Sequence, residues 1–391
     1  MSFDVTRRRE APSGVWKKMV LVNGQSPGPL IEVSTGDIVR VKVNNLIWDE
    51  STTINWHGIH QRNTTWMDGV AGISQCAIPP AKSFTYEFEI IDQRGTFCMV
   101  PVNARRRTLP DVILINGLAV FTNCNFTSST WSSFMPPICE PSSRQFTTPM
   151  PNTTTRFRLI NHSSFTYLYF TIDSHPYLTI IEIDGVEVEP ITVPGIHLNI
   201  GQRYSVLVSP IHSTTTGSFV MRATIPKSCF LPYVPYTSEI LESVNHQGTA
   251  LLSYSPNPNS SLPQNIKPVV DIPQNCTNPP FNLPVPIRKM AAFPPDTAHP
   301  SRNTHQINFQ FQQAGPTSYS PLPHSAQLWL SLPQTLDSGS DPGSYNNYNF
   351  PLNQQVLFLP DPNKTVQIAI NSRDIMEHPF HLHGHTFQIV A

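Results

Sequence analysis

The sequence predicts an all-β protein built from tandem sandwiches, and three observations predict it. Apolar and polar residues alternate over short runs, no stretch shows helical periodicity, and the chain carries 40 Pro among 391 residues. Proline breaks helices and removes ladder donors, so such a density disfavours helical bundles and suits many short strands joined by turns. Charged residues are 13% of the chain, about half the usual share, and the formal net charge is -1. This balance gives no electrostatic reason to expect a nucleic acid or an anionic membrane surface as partner. No run of apolar residues is long enough for a membrane span.

The clearest alternating segments are Ile38–Val43, Phe84–Ile90, Thr155–Ile160 and Tyr204–Val208. A period of two bounded by Gly, Pro and Asn marks half-buried strands. The Pro/Asn/Ser-rich stretch over residues 255–295 reads as a linker, and the composition changes again near Arg105-Arg106-Arg107. These breaks divide the chain into a first sandwich at 1–108, a second at 109–254, the linker, and a third at 296–391. The last ends within a strand-like run, Thr386–Ala391, so the third sandwich is expected to be incomplete.

No basic and apolar leader opens the chain at Met1. Secretion is expected nonetheless, from seven Asn-x-Ser/Thr acceptor triplets, at Asn63, Asn125, Asn152, Asn161, Asn259, Asn275 and Asn363. Six Cys are widely spaced with no CxxC pair, which reads as disulfides rather than a zinc knuckle; Cys124 and Cys139 are placed to close a local loop.

The chemistry is concentrated in His378-Pro379-Phe380-His381-Leu382-His383-Gly384-His385. By composition an eight-residue window would hold only ~0.3 His. On a strand His381 and His383 share a face with Leu382 behind, roughly 6–7 Å apart at the base, a spacing suited to ligands of two adjacent metals. Imidazole suits copper and zinc. A second stretch, Asn55-Trp56-His57-Gly58-Ile59-His60, offers His57 with Asn55 on the same face. A zinc hydrolase would need an acidic ligand or base in register, as in His-Glu-x-x-His, and the sequence has none; Glu377 falls on the opposite strand face from His378.

These stretches carry a resemblance. Asn55–Gly58, Trp66-Met67-Asp68-Gly69, Gln75–Pro80 and Ser83–Tyr86 closely resemble the first domain of fungal laccase-like multicopper oxidases. Asn23–Pro29 is similar to the opening turn of that family. Arg158–Asn161, Asp184-Gly185-Val186 and Gly201–Ser205 match its middle domain, and His378–His385 its third histidine motif. The resemblance implies three cupredoxin-like Greek-key sandwiches, the first and third incomplete here. It also implies copper as cofactor, with a small-molecule reducing substrate and dioxygen as partners. His378 would be a type 1 ligand, His381 type 2, and His383 and His57 type 3, while His60 and His385 match no ligand position.

The sequence also departs from the pattern. Asn55 stands where the family has the first His of His-x-His-Gly, and an amide oxygen is a poorer copper ligand than imidazole. After Phe97 a second His-x-His is expected, but Cys98–Arg107 follows instead and the pattern resumes at Leu114-Ile115-Asn116-Gly117. This segment lacks strand alternation, so the closing strands of the first sandwich are expected to be missing. No Cys lies between two His, as a blue copper site needs. The resemblance thus implies an oxidase of phenols or diphenols whose turnover is impaired in this chain. The alternative is a non-catalytic cupredoxin-fold protein that binds copper or plays a structural part.

Overall fold

A computed structural model describes residues 1–101, 112–120, 140, 146–163, 167–212, 217–226, 246–254, 284–288, 304–309, 312–313, 319–320, 365–372 and 379–389. Among them the chain is all-β, with a single 3-10 turn at Thr65–Met67. It divides into two compact units. The larger comprises Met1–Asp68, Ile78–Arg288 and Pro379–Phe387; the smaller comprises Gly69–Ala77, Lys289–His378 and Gln388–Ala391.

The larger unit opens with a four-stranded sheet. It contains β1 (Ser2–Glu10), β2 (Lys17–Val22), β3 (Ile38–Asn45) and, after the short β4 (Ile54–His57), β5 (Ser83–Glu89), in the order β2-β1-β3-β5. Strand β1 runs parallel to β3 and the other neighbours are antiparallel. The alternation seen in the sequence is realised here: Val39, Val41 and Val43 are buried while Arg40 and Lys42 face out. Val5, Tyr86, Phe88 and Trp56 complete this core.

A correction concerns the residues after Phe97. Cys98–Pro101 do form a strand, β6, antiparallel to β4, with His57 opposite Cys98. Backbone pairing with β4 needs no side-chain alternation, which is why the pattern gave no sign of it. The segment 102–111 lies outside the described residues.

The middle of the chain folds as a two-sheet sandwich. Its strands are β7 (Thr147–Pro149), β8 (Thr155–Ile160), β9 (Leu168–Ile172), β10 (Leu178–Ile183), β11 (Val186–Val193), β12 (Ile196–Leu198), β13 (Arg203–Val208), β14 (Ser218–Thr224) and β15 (Gln247–Ser253). They pair as β11-β10-β13-β8 and β12-β9-β14-β15-β7. Between the sheets lie Ile172, Leu178, Val206, Val208, Ala250 and Leu252.

In the first of these sheets β13 is buried on its other face too. Along β13, Tyr204, Val206 and Val208 enter the core, while Arg203 and Ser205, equally buried, point away from it. A bulge in β10 shifts the register so that Ile180 pairs with Val206 but Glu182 with Ser205. Without it, alternation would aim Glu182 into the apolar core with Ile180; the extra residue turns it to the polar face. Residues 284–288, inside the stretch read as a linker, run along the edge of this sheet: Val188 bridges Pro286, and the Val285 carbonyl accepts from the Glu189 amide at 2.8 Å.

In the smaller unit β16 (Thr304–Phe309) pairs in parallel with β19 (Gln367–Ser372), and β17 (Gln312–Gln313) with β18 (Tyr319–Ser320). Most of the predicted third sandwich lies outside the described residues.

Candidate metal centre

The site begins on β4. Ile54, Asn55 and Trp56 are buried, and Trp56 presents its ring to Tyr86 and Phe88 at 5.6 and 5.0 Å, both edge-on. The strand ends at His57, which is half-buried at the rim. Gly58 turns the chain at φ +90°, with the Ile59 amide donating to the Trp56 carbonyl at 3.0 Å. Gln93 clamps this turn. Its side-chain amide donates to the Gly58 carbonyl at 2.9 Å, and its side-chain oxygen accepts from the His60 amide at 2.7 Å.

Against this rim lies Pro379–Phe387. His57 and His381 stack at 4.0 Å between ring centroids, 23° apart. His383 stands edge-on to His381 at 4.8 Å and to His57 at 6.4 Å. The structure therefore brings together three of the four sequence-predicted residues, His57, His381 and His383. The fourth, His378, lies outside the described residues. The strand expected over His381–His383 and on to Thr386 is not formed: residues 379–389 carry no strand, and a turn occupies His383–Gly384. Sequence alternation sets a face only where a neighbouring strand pairs, and the bond from the His385 amide to the Leu382 carbonyl, 3.4 Å, belongs to a turn rather than a ladder.

One residue to which the sequence assigned no role orders the centre. The Asp68 backbone carbonyl accepts from the Trp56 amide at 3.0 Å and from the Asn55 side-chain amide at 2.9 Å. Its carboxylate Oδ2 lies 3.0 Å from His383 Nδ1. A carboxylate only accepts, so Nδ1 donates here, and Nε2 is the ring nitrogen that remains to face a metal. Metal-binding histidines ordinarily have such a partner. Asn55 is thus a strut for Asp68, its side-chain nitrogen committed to that carbonyl.

The electrostatics favour neutral rings at His57 and His381. Burial pushes His57 down to about 4, helped by the charge of Arg203 and by His383, against a hydrogen bond with Gly201. His381 is open to solvent on one side, yet its face lies on His57; desolvation, then repulsion from His57 and His383, moves it in the same direction. Uncharged imidazole is the form that ligates metals. The three rings do not close on one point, and among the described residues no group of three or more His, Cys, Asp or Glu converges on a single metal position. His60 and His385 stay outside the cluster, His385 Nδ1 donating to the His383 carbonyl at 3.0 Å.

Three family models, each described as multicopper oxidase, match residues 4–117, 98–257 and 322–391. The chain belongs to the multicopper oxidase family. Among related multicopper oxidases, the iron transport multicopper oxidase fetC of Epichloe festucae is 27% identical over 99% of this chain and 64% of its own length. Laccase-1 of Cryptococcus neoformans var. grubii is 27% identical over 100% and 69%. The L-ascorbate oxidase of Cucumis sativus is 26% identical over 100% and 77%. The chain therefore spans about two thirds of the length of the first two. Among solved structures, the multicopper oxidase Fet3p superposes with a TM-score of 0.68 at 21% identity, covering 99% of this chain and 75% of its own. The Botrytis aclada laccase gives 0.61 at 22%, covering 82% and 62%. Both show the shared fold. A multicopper oxidase implies copper, and the donor set here, imidazoles with a carboxylate behind one of them, fits that metal.

Asp68 and Arg203 lie inside the motifs that resemble the family, but the sequence alone assigns neither a task. The available signal was their type: a carboxylate eleven positions beyond His57, and a cation at the head of a largely apolar strand.

Proposed function

We propose that this chain is a laccase-like copper-dependent oxidoreductase that removes single electrons from phenols or diphenols and delivers them to dioxygen, giving water. The observation that carries the reading is the meeting of His57 with His381 and His383, from opposite ends of the sequence, as stacked and edge-on rings. His57, His381 and His383 are the proposed copper ligands, with His378 added on its motif alone. Rings spread over 4.0 to 6.4 Å suit neighbouring ions rather than one. When bound, copper supplies a one-electron acceptor able to reduce dioxygen. The protein's part is to hold His57 at a rigid rim, to orient His383 through Asp68, and to favour the unprotonated form of His57 and His381.

Turnover is proposed to be weak. Asn55 provides no imidazole, its amide being engaged with Asp68, and Cys98–Arg107 contains no His. Export is part of the same reading, supported by the exposed acceptor residues Asn63 and Asn152. Asn161 does not fit: it is 2% exposed, and its amide donates to the Leu198 carbonyl at 2.9 Å.

Copper content and oxygen uptake test the proposal together. Purified protein reconstituted with copper should retain it, H57A and H381A should each lose much of it, and oxygen uptake should depend on an added diphenol more than on ferrous iron or ascorbate. Failure to hold copper, or tighter binding of zinc, would remove the reading. Uptake as fast as that of the Botrytis laccase assayed alongside would remove only the claim of weak turnover.

A further inference from the structure

The turn that carries His57 is gripped by a side chain of the middle sandwich. Arg203, 2% exposed, lies on the polar face of β13. Its Nε donates to the Thr96 carbonyl and its Nη1 to the Gly201 carbonyl, both at 3.0 Å, and Nη1 also lies 3.0 Å from Asp184 Oδ1. Its Nη2 stands 2.7 Å from the point where Gly58 would carry a Cβ, and the Phe97 ring stands 3.0 Å from that same point. Gly58 is thus glycine for two reasons, its positive φ and the guanidinium packed against it. Gly201, whose carbonyl Arg203 holds, approaches His57 Nε2 from another side, its own Cβ position being 3.3 Å away.

Glu182 anchors the same segment. Its Oε1 accepts from the Thr96 amide at 2.8 Å, while Oε2 accepts from Ser205 Oγ at 3.0 Å and pairs with Arg156. The approach to β6, the strand opposite His57, is therefore fixed from the middle sandwich before β6 begins.

We infer that Arg203 is a positioning residue: by tying Thr96, Gly201 and Asp184 together against Gly58, it sets the place of the His57 ring from outside the strand that bears it. The placement stands independently of the metal; its consequence for copper rests on the reading of His57 as a ligand. A planar fork reaches these partners at once, whereas the compact ammonium of lysine does not. R203K therefore keeps the charge and loses the geometry.

The test uses the full chain as wild type, R203K and the control R222K. Arg222 is also a buried arginine of the middle sandwich paired with an aspartate, Asp173, but its second partner is Gln247. Histidine ring proton–nitrogen spectra of the copper-free proteins, with His57 assigned from H57Q, should show His57 moved or broadened in R203K and unmoved in R222K. Copper affinity should fall about ten-fold or more in R203K, as for other residues that orient a ligand, and less than two-fold in R222K. If R203K does not fold, D184N releases one anchor and should shift the same His57 signals by less. Unmoved His57 signals in folded R203K, or equal movement in R222K, would overturn the inference. Moved signals in a protein that binds no copper would uphold it while removing the metal reading.

Discussion

The two stretches that supply the histidines are held in opposite ways. On β4, Ile54, Asn55 and Trp56 are at most 5% exposed, paired with β6 and bonded to Asp68. In Pro379–Phe387, Phe380, Leu382 and Phe387 are 44, 40 and 56% exposed, and no strand forms. One side of the centre is therefore built by the core of the first sandwich, and the other is held by its own side chains against that rim. The difference teaches that the position of a proposed ligand is inherited from packing on one side and from a few side-chain contacts on the other. Mutations should separate the two.

The largest effect is expected in the rigid half. Trp56→Ala empties a buried site between Tyr86 and Phe88, and loss of a core aromatic costs about 3–5 kcal/mol. Chemical denaturation should show that loss, with copper binding falling only as far as the fold does. A variant of normal stability would mean that β4 is not set by this core.

Next comes the joint between the halves. Asp68→Asn keeps the backbone bonds from Trp56 and Asn55 but replaces the carboxylate facing His383 Nδ1. Weakening the support of a ligating histidine costs about 10–100-fold in metal affinity. Stability should change far less, because His383 is exposed. Copper titration beside a melting curve separates the two, and a loss of stability without loss of affinity would return Asp68 to a purely structural part.

How far the sequence could see follows the same division. Ile38–Val43, Thr155–Ile160 and Tyr204–Val208 were legible because one face of each enters a core and alternation reports that directly. The histidine cluster was legible by density and by resemblance. The strand at Cys98–Pro101 was not, since only its backbone is called on by β4. Nor was the aim of Glu182, which depends on a bulge, or that of Arg203, whose partners at Thr96 and Gly201 come from other turns. The strand expected through His381 failed for the complementary reason, since no neighbour pairs with it among the described residues.

Thiol chemistry sharpens the contrast at smaller scale. Cys98, opposite His57 in β6, is half-buried and pushed up to about 11 by desolvation; Cys76 is exposed, and both are free thiols. The thiolate is the nucleophile, so at pH 8 only about one Cys98 in a thousand is reactive. Under native conditions iodoacetamide should label Cys76 well before Cys98, as read by peptide mass, and equal rates would mean that β6 opens on the timescale of labelling.

The smallest effect belongs to the exposed half. Leu382 lies between two proposed ligands, yet it is 40% exposed, so Leu382→Ser removes little buried apolar surface and should shift stability by no more than about 0.5 kcal/mol. Copper affinity should be equally insensitive, because the rings of His381 and His383 rest on His57, on each other and on Asp68. A marked loss of copper in L382S at unchanged stability would mean that the backbone of 379–387, rather than its side-chain contacts with the rim, sets where the two rings stand.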